Sequence, residues 1–132
     1  MVDEAVCAFL RDYIDSFESL EVLLLLRRER TACTAEELRR RLRTHPPLID
    51  DALSSLVRAR LVNTDQKVPA LHTYAGEDPA RDGIVDSLAR VYRDEPIKIM
   101  QLMTTNAIER LRTSTIRAFA DAFVVRKDDG RG

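Results

Sequence analysis

The stretch TAEELRRRLRTHPPLIDDALSSLVRARLV, residues 34–62, decides how this chain folds. Thr34 followed by Glu37 is a capping box, in which the hydroxyl accepts from the third amide of a helix and the carboxylate reaches back to the cap. Ala35, Leu38 and Leu42 then recur at helical spacing, predicting a helix over residues 34–43. That helix stops at Thr44 and His45. Pro46 and Pro47 have no amide hydrogen, and proline disfavours a helical residue before it. The same prolines fit the first turn of a new helix, where the missing donor costs nothing. Leu48, Ala52, Leu53, Leu56 and Val57 give this second helix one apolar stripe over residues 46–59. Two short helices joined by such a break form a helix-turn-helix.

After Arg60 the period changes. Leu61 and Val62 begin a strand, Asn63 to Gln66 are turn material, and Leu71 to Tyr74 supply a returning strand, so a hairpin is predicted near residues 61–75. Pro69 belongs at its turn or on an edge, because it cannot donate to a ladder. Gly76 ends the hairpin. Upstream, Val2, Val6, Phe9, Leu10 and Tyr13 share one face of a helix over residues 2–14. Ser16 caps a second helix, apolar nearly all round from Leu20 to Leu26 and therefore central to the core. Leu24, Leu38, Leu53 and Leu56 are expected to share that core. Downstream, Asp78 and Pro79 open a helix carrying Ile84, Leu88, Val91 and Tyr92. Pro96 opens another carrying Ile97, Met100, Met103, Ile108 and Leu111, with Ile116, Phe119 and Phe123 continuing the face. Thr104, Thr105 and Asn106 are poor helix-interior residues, and a kink or break is expected there. The expected fold is mainly α, a winged helix-turn-helix with a small β-hairpin wing and additional N- and C-terminal helices. Residues 1–125 read as a single domain and residues 126–132, charged and glycine-containing, as a disordered tail.

Composition agrees with a globular chain: 45% of the 132 residues are hydrophobic and 33% charged, which excludes a disordered one. The net charge of -1 exerts no overall pull toward nucleic acid or membrane. The N-terminus is acidic from Asp3 onward, unlike a targeting peptide, and Val22 to Leu26 is far too short to span a bilayer. A cytoplasmic location is expected. Cys7 and Cys33 read as small buried or half-buried hydrophobes. Neither pairs with His45 or His72 at metal-ligand spacing, so no metal and no cofactor are expected. His72 reads as a strand-surface residue. There is no glycine-rich phosphate loop, no nucleophile elbow and no pair of carboxylates that could converge on one site. An enzyme is not expected.

Two features remain. Arg39, Arg40, Arg41 and Arg43, with His45 beside them, form the most basic segment. They are either phosphate contacts or a solvated helix face. Met100, Met103, Ile108, Leu111, Ile116 and Phe119 form a long apolar series, either intramolecular core or the interface of a homodimer.

In the order of elements from about residue 15 to residue 95, carried by Thr34 to Leu42, Pro46 to Val62 and the hairpin to Tyr74, the chain resembles bacterial winged-helix transcriptional regulators of the MarR type. The resemblance implies a dimeric regulator that binds double-stranded DNA, with the second helix of the motif in the major groove and the wing on neighbouring phosphates. It places Asp50, Asp51, Ser54, Ser55 and Arg58 on the outward face and Lys67 on the wing. The DNA-contacting set is then Arg39, Arg40, Arg41, Arg43, His45, Ser54, Ser55, Arg58 and Lys67. Two acids and one base on the second helix depart from the basic face of such regulators. They leave open an alternative, a winged-helix module for protein–protein interaction without direct DNA binding.

Overall fold

The computed structural model describes residues 2–129, with side chains through residue 122. Six helices and one hairpin follow in order: α1 (Glu4–Tyr13), α2 (Phe17–Glu29), α3 (Ala35–Leu42), α4 (Pro46–Arg58), β1 (Val62–Thr64), β2 (His72–Tyr74), α5 (Pro79–Asp94) and α6 (Pro96–Asp129). Each early boundary has a local cause. Ser16 Oγ accepts from the Ser19 amide at the start of α2, and Thr34 Oγ1 from the Glu37 amide at the start of α3. The prolines open α4 and α5, and the Asp78 carboxylate caps α5. At the other ends, α2 and α3 terminate on Arg30 and Arg43 in the left-handed conformation, at φ 57° and 53°. Arg60, just past α4, also has positive φ.

Helix α2 is the central element. It packs against α4, touches α3 and β2, and buries Leu20, Val22, Leu23, Leu25 and Leu26. Leu38 of α3 and Leu53 and Leu56 of α4 join the same core, as expected. Leu24 does not: it is half-buried at the rim, on the side of α2 that carries Glu21, Arg27 and Arg28 and borders a surface pocket. In α4 the core takes Ile49 rather than Leu48, which stands exposed, since α2 lies against the side shared by Ile49, Ala52, Leu53 and Leu56. At the end of α1 Tyr13 is exposed, and Ile14, the residue that caps the helix, is buried in its place.

The hairpin pairs Val62 with Tyr74, Asn63 with Thr73 and Thr64 with His72, antiparallel. Cys33, just ahead of α3, adds a third position by exchanging both backbone hydrogen bonds with His72 at 3.0 and 2.8 Å. His72 is buried rather than on the surface as the strand pattern suggested. Pro69 sits in the connection between the strands.

Helices α5 and α6 pack on each other and on α1. The expected break at Thr104 to Asn106 does not occur, and α6 is one helix of 34 residues. Thr104 Oγ1 donates to the Met100 carbonyl at 2.9 Å, a bond inside the helix that satisfies the hydroxyl without a turn. The Phe123 side chain and residues 130–132 of the expected tail lie outside the described residues.

A polar cluster ties the wing to α2 and α5. Asp82 Oδ1 accepts from Arg27 Nε at 3.1 Å and from the Tyr74 hydroxyl at 2.6 Å, and Arg27 Nη2 reaches Asp86 at 3.3 Å. The Arg30 guanidinium lies over the Tyr74 ring, 5.2 Å from its centroid. Gly76 makes room for this packing, since a Cβ there would meet the Tyr74 ring at 2.9 Å. The Arg27 and Tyr74 bonds hold the Asp82 carboxyl below its usual range, and burial beside Asp82 pushes the Tyr74 phenol up to about 12. An acid with a depressed folded pKa contributes stability above its unfolded pKa of roughly 3.9, and loses it as the pH falls through the lower folded value. Asp82→Asn is therefore expected to destabilise by about 1–3 kcal/mol at pH 7, in the range for hydrogen bonds to charged groups. In urea melts the gap to wild type should narrow below pH 4, and a gap independent of pH would refute the ionic role.

Candidate nucleic-acid interface

The helix-turn-helix is α3 and α4, and the turn between them is set by the left-handed backbone of Arg43 and by Pro46, which disfavours a helical residue before it. Arg43 takes the left-handed conformation, Thr44 Oγ1 donates to the Leu42 carbonyl at 3.1 Å, and His45 precedes Pro46 with no side-chain cap bond. The outer face of α4 then presents Asp50, Asp51, Ser54 and Arg58, all exposed. Ser55, one position round the helix, is half-buried and turned away, donating to Asp15 Oδ2 at 3.2 Å.

The arginine segment of α3 does not form one free basic patch. Arg39 donates through Nε to Glu36 Oε2 at 2.9 Å and through a second nitrogen to Glu36 Oε1. Arg40 Nε lies 3.8 Å from the same carboxylate, and Arg41 Nη2 lies 2.5 Å from Glu29 Oε1. Arg39 holds the Glu36 carboxyl below the usual range, and Glu36 in turn raises the Arg39 guanidinium. Among the described residues no ion pair is formed by Arg43, Arg58 or Lys67, and all three are exposed. The Glu36 pairings were legible as spacings of three and four along a helix. The reach from Glu29 to Arg41 joins two different helices and was not.

The wing is held open by Asp65. Its Oδ1 accepts from the Lys67 amide at 3.0 Å and the Leu71 amide at 2.9 Å, and these bonds keep its carboxyl below the usual range. Gln66 takes positive φ inside this loop. Lys67 and Val68 thereby stand at the tip, Val68 99% exposed.

Between α3, α4 and the wing lies a cleft of about 890 Å³. Ile49, Leu53, Val57 and Pro69 line it, with Arg39, Asp50 and Arg58 also in its wall. His72 contributes to the same wall. Burial lowers its pKa against the opposing pull of Asp65 and Asp50, and its Nδ1 has no partner. Among the described residues no three His, Cys, Asp or Glu side chains come together as a metal site. Cys33 is buried and Cys7 half-buried. No described helix is long and apolar enough to cross a membrane.

The apolar series on α6 divides by face. Ile99 is fully buried, and Leu102 and Met103 pack against the core half-buried. Ile97, Met100, Ile108, Leu111, Ile116 and Phe119 point elsewhere and are exposed, Leu111 at 69% and Phe119 at 73%. Of the six expected interface residues, Met103 alone turns inward.

No protein-family model matches the chain, and no curated protein does. Among solved structures, the crystal structure of a MarR family transcription regulator is similar to it at a TM-score of 0.52. Sequence identity is 16%, over 90% of this chain and 81% of the other. That likeness over most of both chains, with this chain's own helix-turn-helix, hairpin and flanking helices, gives it a MarR-like winged-helix fold.

Proposed function

We propose that this chain, with residues 1–125 as its single domain, is a dimeric winged-helix regulator of transcription that binds double-stranded DNA in the cytoplasm. One observation carries the reading. A complete winged helix and a long helix with a bare apolar face occur in the same chain, so one part can read a duplex while the other pairs two copies. The structural neighbour, a transcription regulator, supports the same role. In this reading Arg43, Arg58 and Lys67 contact phosphates directly. Arg39, Arg40 and Arg41 do so once released from Glu36 and Glu29, while His45 and Ser54 border the groove. Ser55 serves α4 from behind.

Salt titration of binding to generic duplex DNA tests this. Three free cations and one partly shared arginine predict a log–log slope of only about 2–4 per monomer. Replacing Asp50 and Asp51 by asparagine removes two charges that repel phosphate, and should tighten binding. A wild-type chain that binds no duplex at low salt ends the direct form of the proposal.

A second reading has its own support. The acids at Asp50 and Asp51, the internally neutralised arginines and the apolar cleft beside α4 fit a protein partner with a basic surface. There the same asparagine pair should weaken binding, so the sign of its effect separates the two.

A further inference from the structure

Helix α4 is fastened to the flanking helices at two points, both toward its C-terminal end. The first is Asp15, in the turn between α1 and α2. Its Oδ1 accepts from Ser19 Oγ of α2 at 3.1 Å, and its Oδ2 accepts from Ser55 Oγ of α4 at 3.2 Å. Its backbone carbonyl accepts from Arg110 Nη2 of α6 at 3.1 Å. One residue thus joins three helices. The second is Arg81 of α5, whose guanidinium lies 4.7 Å from the Tyr13 ring centroid of α1. It donates to the carbonyl of Ala59, and its Nη1 lies 3.5 Å from that of Arg60. Carbonyls at a helix end have no partner within the helix, so Arg81 supplies one from outside.

Within the winged helix α4 also packs on α3 and β1, but outside it the remaining attachment is packing on α2, whose buried face is apolar, and such packing is non-directional and tolerates small rotations. Hydrogen bonds are directional. We propose that Asp15 and Arg81 are positioning residues that fix the angle of α4 against α6. Through that angle they set how two recognition helices are presented to a duplex. The consequence for DNA rests on the function proposed above, but the angle itself does not.

The test measures the angle without DNA. Spin labels at Ser54→Cys on α4 and Thr105→Cys on α6, beside the turn that packs Leu102 and Met103 on the core, report one intrachain distance in a Cys7→Ser and Cys33→Ala background when labelled chains are diluted in unlabelled ones. The parent should give a single narrow distribution. Asp15→Ala should roughly double its width while the unfolding midpoint barely moves, because these bonds lie near the surface. Asp15→Asn should restore the narrow form, since its amide can accept from one serine and donate to the other. Arg81→Met, which removes the guanidinium and keeps an unbranched side chain, should broaden it. If Asp15→Ala does not fold, Ser55→Ala removes the same bond from the other side. An unchanged distribution in the folded alanine variant overturns the proposal. Duplex affinity should fall about tenfold in Asp15→Ala and not in Asp15→Asn. A parent that binds no duplex counts against the DNA reading, and the distances then decide the positioning role alone.

Discussion

Leu56→Ala is expected to lower the unfolding free energy by about 2–5 kcal/mol, the range for emptying a filled leucine site in a packed core. Leu56 is fully buried and belongs to the cluster that joins α2, α3 and α4. The substitution loses both the transfer of the side chain from water and the contacts of the atoms that lined it. Urea melts followed by far-UV ellipticity measure the change. Leu48→Ala, two turns earlier and exposed, is the control and should stay within about 0.5 kcal/mol. A loss that small at Leu56 would mean that α4 does not pack as described.

The second large effect is on assembly. Leu111→Glu with Phe119→Glu places two carboxylates on the exposed apolar face of α6, and a dimer closed there would have to bury them unpaired. The dissociation constant should rise by about a hundredfold or more, since each unpaired charge costs well over 1.4 kcal/mol. Light scattering at micromolar concentration should report half the wild-type mass. A wild-type chain already monomeric there would remove the interface from the proposal. Binding to a duplex carrying two half-sites should fall with it, because one winged helix engages only one of them.

How much of this was legible in the chain depends on the range of each interaction. The cap at Thr34 and the prolines at 46 and 47 act within one turn, and α3 begins and ends, and α4 begins, where they dictate. The phase of an apolar stripe is less local. Leu48, Ile49, Ala52, Leu53, Leu56 and Val57 offer two overlapping stripes, and only the position of α2 selects the one containing Ile49. His72 has a partner further away still, since its backbone pairs with Cys33 across a bridge between segments about forty residues apart in sequence. The arginines of α3 show the same limit: their number was plain, but the neutralisation of Arg41 by Glu29 exists only once α2 and α3 are folded together. Asp15, exposed and unremarkable in sequence, gains its three partners from three helices.

Helix α6 is about 51 Å long at the usual rise per residue, and from Leu111 to Ala122 every described side chain is exposed. A segment of that length, with no body of protein beneath it, is marginal as a helix in water. Its order must then come from whatever covers it. In the proposed dimer that cover is the second copy, so the last turns of α6 and the pairing of chains form as one equilibrium governed by mass action. Dilution would unwind this end of the molecule before it touched the winged helix. The concentration of the protein in the cell would then set how much of it is complete.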